Sequence, residues 1–155
     1  MIRAVLDVNV IVSGFSAPAG GPAEVVAAWS VGNFELVISE HIYRGAIRTW
    51  SKPYFRARVT PDQVQANLDR LRTQATFVVP VDTVQGIADD KEDDLVLATA
   101  VAGEVPYLVT GDHGFQRVGR YGDIAILSPR AFLDVLAAEV PWQGDPEGRS
   151  SALPE

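Results

Sequence analysis

Cysteine is absent from the 155-residue chain, which excludes a disulfide framework, a thiol nucleophile and thiolate-ligated zinc. No apolar run approaches the ~20 residues that a membrane-spanning helix needs. The first seven residues, Met1 to Asp7, reach a charge too soon for the core of a signal peptide, so a cytoplasmic location is expected. Basic residues are also in deficit. Thirteen Lys and Arg against twenty Asp and Glu leave a net charge of -7, which argues against nucleic-acid binding by the whole surface but permits a local basic patch or a metal-bridged phosphate contact. Only two histidines occur, His41 and His113, and both are expected to be surface polar residues.

What is present is an ordinary globular composition, 47% hydrophobic and 21% charged, in a length that fits one domain. Short apolar runs alternate with helical patterns. Residues 2–6, 34–38, 77–79, 107–110 and 124–127 read as five strands, and the segments between them carry helix signals. Pro22 suits a first helical position, Ser39 an N-cap, Thr60-Pro61-Asp62-Gln63 a capping box, and Ser128-Pro129 a helix start. Val8 to Ser13 reads as a loop after the first strand. The alternation predicts a single α/β domain over residues 1–140, a five-stranded parallel sheet flanked by helices in an α/β/α sandwich. From residue 141 the composition turns to Pro, Gly, Ser and charge, which predicts a flexible tail over 141–155.

The most informative stretch is Asp89-Asp90-Lys91-Glu92-Asp93-Asp94, directly before the apolar run Leu95 to Ala98. Two unit charges ~4 Å apart repel by about 4 kcal/mol at an effective dielectric near 20. Carboxylates crowded at a helix start are therefore relieved by protonation, by solvent or by a cation. A solvated acidic loop is the bland reading of such a run by itself. Two further acids change the balance. Asp7 follows the first strand and Asp112 the fourth, and in open α/β sheets the carboxyl ends of the strands face one crevice, which Asp94 enters from the helix preceding the fourth strand. Three carboxylates with no histidine or cysteine among them suit Mg²⁺ or Mn²⁺, and a hard cation with open positions serves phosphodiester hydrolysis or phosphoryl transfer. A receiver-type phosphotransfer domain would need a Lys after the fifth strand, where Ser128-Pro129-Arg130 stands instead.

Leu6-Asp7-Val8-Asn9-Val10-Ile11-Val12-Ser13, Val37-Ile38-Ser39, Asp93-Asp94 with Leu97-Ala98, Val109-Thr110-Gly111-Asp112 and Leu127-Ser128-Pro129 together resemble the successive motifs of PIN-domain proteins, most nearly the VapC-like toxins of toxin–antitoxin pairs. The resemblance covers about residues 1–139. It implies a metal-dependent endoribonuclease acting on single-stranded RNA, with Asp7, Asp94 and Asp112 binding the metal and with Asn9, Thr110 and Asp93 around them. It further implies a cognate antitoxin and a homodimer.

One departure from the family pattern stands in the helix after the second strand. An ungapped alignment puts Arg44 where the family carries an acid, and Glu40, one turn earlier, is either a substitute ligand or an i,i+4 partner of Arg44. The alternative function is therefore a catalytically impaired PIN-fold module that binds RNA or a partner without cutting it. Arg44, Arg48 and Lys52 form the start of the one basic tract and are the candidate RNA contacts.

Overall fold

The computed structural model of the protein describes residues 1–139, so the tail expected over 141–155 lies outside the described residues. The chain runs β1 (Arg3–Leu6), α1 (Val8–Ser16), α2 (Gly21–Ser30), β2 (Glu35–Ile38), α3 (Glu40–Trp50), α4 (Pro53–Arg56), α5 (Pro61–Gln74), β3 (Thr76–Phe77), α6 (Lys91–Gly103), β4 (Tyr107–Val109), α7 (His113–Gln116), β5 (Arg120–Tyr121), β6 (Ile124–Leu127) and α8 (Pro129–Glu139). The strands form one sheet in the order β3-β2-β1-β4-β6-β5. Every pairing is parallel except that of β5 with β6.

The expected five-stranded parallel sheet is thus a six-stranded one with an antiparallel edge. Tyr121 pairs with Ile124, leaving Gly122-Asp123 as a two-residue hairpin loop with Gly122 at φ 58°. Glycine is favoured there because a Cβ opposes that left-handed backbone. The third strand is Thr76–Phe77, and Val79, placed in it from sequence, is 85% exposed.

The segment from Val8 to Ser13, expected as a loop, is helical. The carboxylate of Asp7 accepts the Val8 N–H at 2.8 Å, and the Asp7 carbonyl accepts from Val10 and Ile11. Val and Ile weakly disfavour helix, by less than about 1 kcal/mol each, and burial outweighs that cost. Val10, Ile11 and Val12 are almost wholly inaccessible. At Gly14 the helix passes so close to α2 that any Cβ would collide with Val26 and the Pro22 carbonyl. Both caps read from the sequence form: Ser39 Oγ accepts from the Ile42 N–H, and Thr60 and Gln63 make a reciprocal capping box.

The core lies on both faces of the sheet. Leu6, Leu36, Ile38 and Leu108 are fully buried in the strands, so the strands read as continuous apolar runs rather than alternating ones. Phe132 of α8 meets Phe34 edge-to-face with ring centroids 5.0 Å apart. Successive connections from β1 lead to β2 on one side and from β4 to β6 on the other. The β1/β4 boundary is therefore the point where strand order reverses, and the crevice opens beyond the carboxyl ends of these two strands.

Candidate active site

A cavity of about 680 Å³ occupies that crevice. Asp7 at the end of β1, Asp112 after β4 and Asp93 in the first turn of α6 line it from three different elements. Thr110 ties the first two together. Its hydroxyl donates to Asp7 Oδ2 at 2.8 Å and accepts the Asp112 N–H at 3.1 Å. Gln116 Nε2 in turn donates to the Thr110 carbonyl, and Asp112 Oδ1 accepts from the Gly114 N–H.

The electrostatics record the crowding. Burial raises the Asp7 carboxyl above its ordinary range, opposed by the hydrogen bonds from Thr110 and Val8, with Asp112 adding repulsion and His41 attraction. Asp93 is pushed up to about 7, first by burial and then by repulsion from Asp7, Asp112, Asp90 and Asp94. A cation placed among these oxygens would remove the repulsion that a proton otherwise relieves.

Asp94, expected from sequence to hold the metal, has another task. Its Oδ2 accepts the Gly86 N–H at 2.8 Å, and its Oδ1 accepts those of Ile87 at 3.2 Å and Ala88 at 2.8 Å. It is buried and does not line the cavity. Asp94 anchors the loop before α6, and the neighbouring Asp93, expected only as a supporting residue, faces the crevice. Asn9 lines the cavity as well, while Thr110 lies buried just behind Asp7.

Helix α3 forms the opposite wall through His41, Gly45, Arg48 and Thr49, with Lys52 just beyond its end. Arg44 is not part of that wall. Its side chain is 73% exposed and pairs loosely with Glu40 at 3.9 Å, so it does not fill the cation position. Glu40 points away too, held by a bidentate contact with Arg72, and is no substitute ligand. One residue after Arg44, position 45 does line the crevice, and there a glycine stands. A Cβ on Gly45 would lie 2.8 Å from Val8 Cγ2, so Val8 occupies the space a side chain from α3 would need.

His41, expected as surface filler, lines the cavity, and its Nε2 lies 3.2 Å from Glu92 Oε1. The signal that could have found it is the helical stripe His41, Gly45, Arg48, Lys52, which recurs at the spacing of one helix face. His113 is exposed at the start of α7 and lies outside the cavity.

The sequence from residue 3 to 114 matches the family described as the PIN domain. The chain belongs to the PIN-domain family. PIN domains are typically metal-dependent nucleases and usually use divalent metals. Among solved structures, a chain in the crystal structure of VapBC2 from Rickettsia felis bound to a DNA fragment from their promoter superposes with a TM-score of 0.57 at 14% identity, covering 82% of this chain and 98% of that chain. At that identity the likeness concerns the fold. No curated protein matches this sequence.

The oxygens at hand are of the type a hard divalent ion prefers. They are carboxylate oxygens alone, from Asp7, Asp93 and Asp112. Among the described residues no three acidic or imidazole groups stand close enough to enclose an ion by themselves. Mg²⁺ is ordinarily held by one or two carboxylates, retaining waters and taking up phosphate oxygens. Among the described residues no single helix is long and apolar enough to cross a membrane.

Proposed function

We propose that this PIN domain is a metal-dependent endoribonuclease, the toxin of a toxin–antitoxin pair, which hydrolyses single-stranded RNA in the crevice beyond β1 and β4. The observation that carries the reading is the convergence of Asp7, Asp93 and Asp112, from three separate elements, on one cavity with Asp93 pushed up to about 7. Asp7, Asp93 and Asp112 would hold Mg²⁺ or Mn²⁺, and Asp94 keeps the α6 start in place. When bound, the ion supplies positive charge against the pentavalent phosphate and lowers the pKa of water at the site.

The chain's own groups do the rest. Thr110 and the Val8 N–H orient the Asp7 carboxylate by donating to Oδ2 and Oδ1 at the edge of the cavity. Arg48 of α3 and Lys52 just beyond its end face the crevice and offset phosphate charge, whereas Arg44 faces solvent. An antitoxin that covers the crevice and a homodimer in the cytoplasm complete the proposal; the shared fold with a chain from a VapBC2 complex supports the antitoxin part alone.

Replacing Asp7 with Asn should abolish Mn²⁺-dependent cleavage of a labelled single-stranded RNA. Undiminished cleavage by that variant would refute the reading.

A second reading, a PIN fold that binds without cutting, is favoured by one feature: α3 offers the cavity no carboxylate, because position 45 is glycine and Glu40 is turned to Arg72. Calorimetric titration with Mn²⁺ separates the two. Saturable binding that Asp93→Asn removes supports the nuclease, and the absence of any binding supports the module.

A further inference from the structure

The cavity has an acidic wall and a wall of nitrogen donors. Asp7, Asp93 and Asp112 are on one side, and His41, Arg48 and Lys52 are on the other. Between them sits Glu92, the second residue of α6, whose Oε1 lies 3.2 Å from His41 Nε2 and 3.7 Å from Arg48 Nη2. A carboxylate oxygen there occupies the place of an anionic oxygen bound by an imidazole and a guanidinium, the donor pair that phosphate oxygens also take.

We propose that His41 and Arg48 form a seat for a phosphodiester oxygen of single-stranded RNA, and that Glu92 is an internal anion which fills the seat in the free protein and is displaced by the incoming backbone. The inference rests on the nucleic-acid reading above and adds to it the element that receives the strand and the residue that competes with it.

Three features favour displacement over a permanent structural role. The Glu92 side chain is 60% exposed and its two contacts are single-oxygen contacts at ordinary or long distance. Exposed ion pairs of this kind hold their partners weakly. The helix start is already capped without it, since Asp90 Oδ1 accepts the Glu92 N–H at 2.9 Å. Swinging Glu92 away therefore leaves α6 intact, while an RNA phosphate gains an imidazole and a guanidinium as partners and loses a repelling neighbour. A phosphate seated there lies across the same cavity from Asp7 and Asp93, so the strand would pass between the wall of nitrogen donors and the acidic one.

The test uses the full chain in EDTA with a fluorescein-labelled, uncleavable 2′-O-methyl RNA oligonucleotide, followed by anisotropy over a series of salt concentrations. Glu92→Gln should bind about 2- to 5-fold tighter than the parent, the gain expected from releasing one weak competing ion pair. Arg48→Ala should bind more weakly with a salt slope reduced by about one. When Glu92→Gln is introduced into a chain already carrying His41→Gln and Arg48→Ala, the gain should vanish.

Glu104→Gln removes the same charge from the far end of α6 and should change binding little. An equal gain from Glu104→Gln, a gain that survives loss of His41 and Arg48, or no gain from Glu92→Gln would each overturn the proposal. Because no metal is present, failure here is distinct from failure of cleavage: a chain that cuts RNA yet shows no Glu92 effect is a nuclease without this seat.

Discussion

Adjacent aspartates at the start of α6 should respond to the same substitution with opposite signs. Asp93 is held at about 7 against an ordinary 3.8. Its folded pKa is raised, so the native state keeps a proton that the unfolded chain releases, and stability falls as pH rises from about 4 to about 7 and is level above that. A difference of that size between folded and unfolded chain corresponds to about 4 kcal/mol before screening, and halving it for a carboxylate still partly in contact with water leaves about 2 kcal/mol. Asp93→Asn removes the penalty. For a chain of this length it should raise Tm by about 4–8 °C near pH 8 in EDTA and by little near pH 5.

Asp94→Asn should do the reverse. One of three N–H donors now accepted by a charged group, from Gly86, Ile87 or Ala88, loses its acceptor and faces an amide NH₂. At about 1.5–3 kcal/mol for such a bond, Tm should fall by about 5–10 °C at both pH values. Circular dichroism melts at two pH values, with and without Mn²⁺, measure all of this. Added Mn²⁺ should stabilise the parent and Asp94→Asn but not Asp93→Asn. A destabilised Asp93→Asn variant, or an Asp94→Asn variant that keeps its Tm and loses Mn²⁺ binding, would refute the assignment of the two roles.

Three further outcomes are expected. Gly45→Ala should cost about 1–3 kcal/mol by forcing a Cβ to 2.8 Å from Val8 Cγ2, and Val8→Ala should recover most of it, as urea unfolding of the single and double variants would measure. Thr110→Val removes a hydrogen bond that lowers the Asp7 pKa. Asp7 should then hold its proton to higher pH, and Mn²⁺ titrations should show affinity lost at a higher pH than in the parent. Arg44→Ala should leave Mn²⁺ binding unchanged, because its side chain lies in solvent; a clear gain in affinity would place Arg44 in the site after all.

Much of the fold is legible in the chain itself. The alternation of apolar runs with capped helical stretches specifies a parallel α/β domain because capping and periodicity are local chemistry, and Ser39, Thr60 and Asp90 each satisfy helix-start N–H groups with their own side chains. That Asp7 and Asp112 share a crevice follows from strand ends in such a sheet. Even the antiparallel edge had a signal in Gly122-Asp123 between two pairing residues.

What the sequence by itself could not determine is phase and direction. Helix α6 is buried nearly all round, with Val96, Leu97, Ala98, Thr99 and Ala100 all inaccessible, so periodicity does not tell which of Asp93 and Asp94 turns to the crevice and which to the 86–88 loop. Likewise Val8 to Val12 has the composition of a strand, and only burial against the neighbouring helices makes it helical. On α3 a difference of one position, about 100° around the helix, separates Arg44 in solvent from Gly45 against Val8. The kinds of side chain were decided by the sequence, whereas the direction in which each points was decided by what packs behind it.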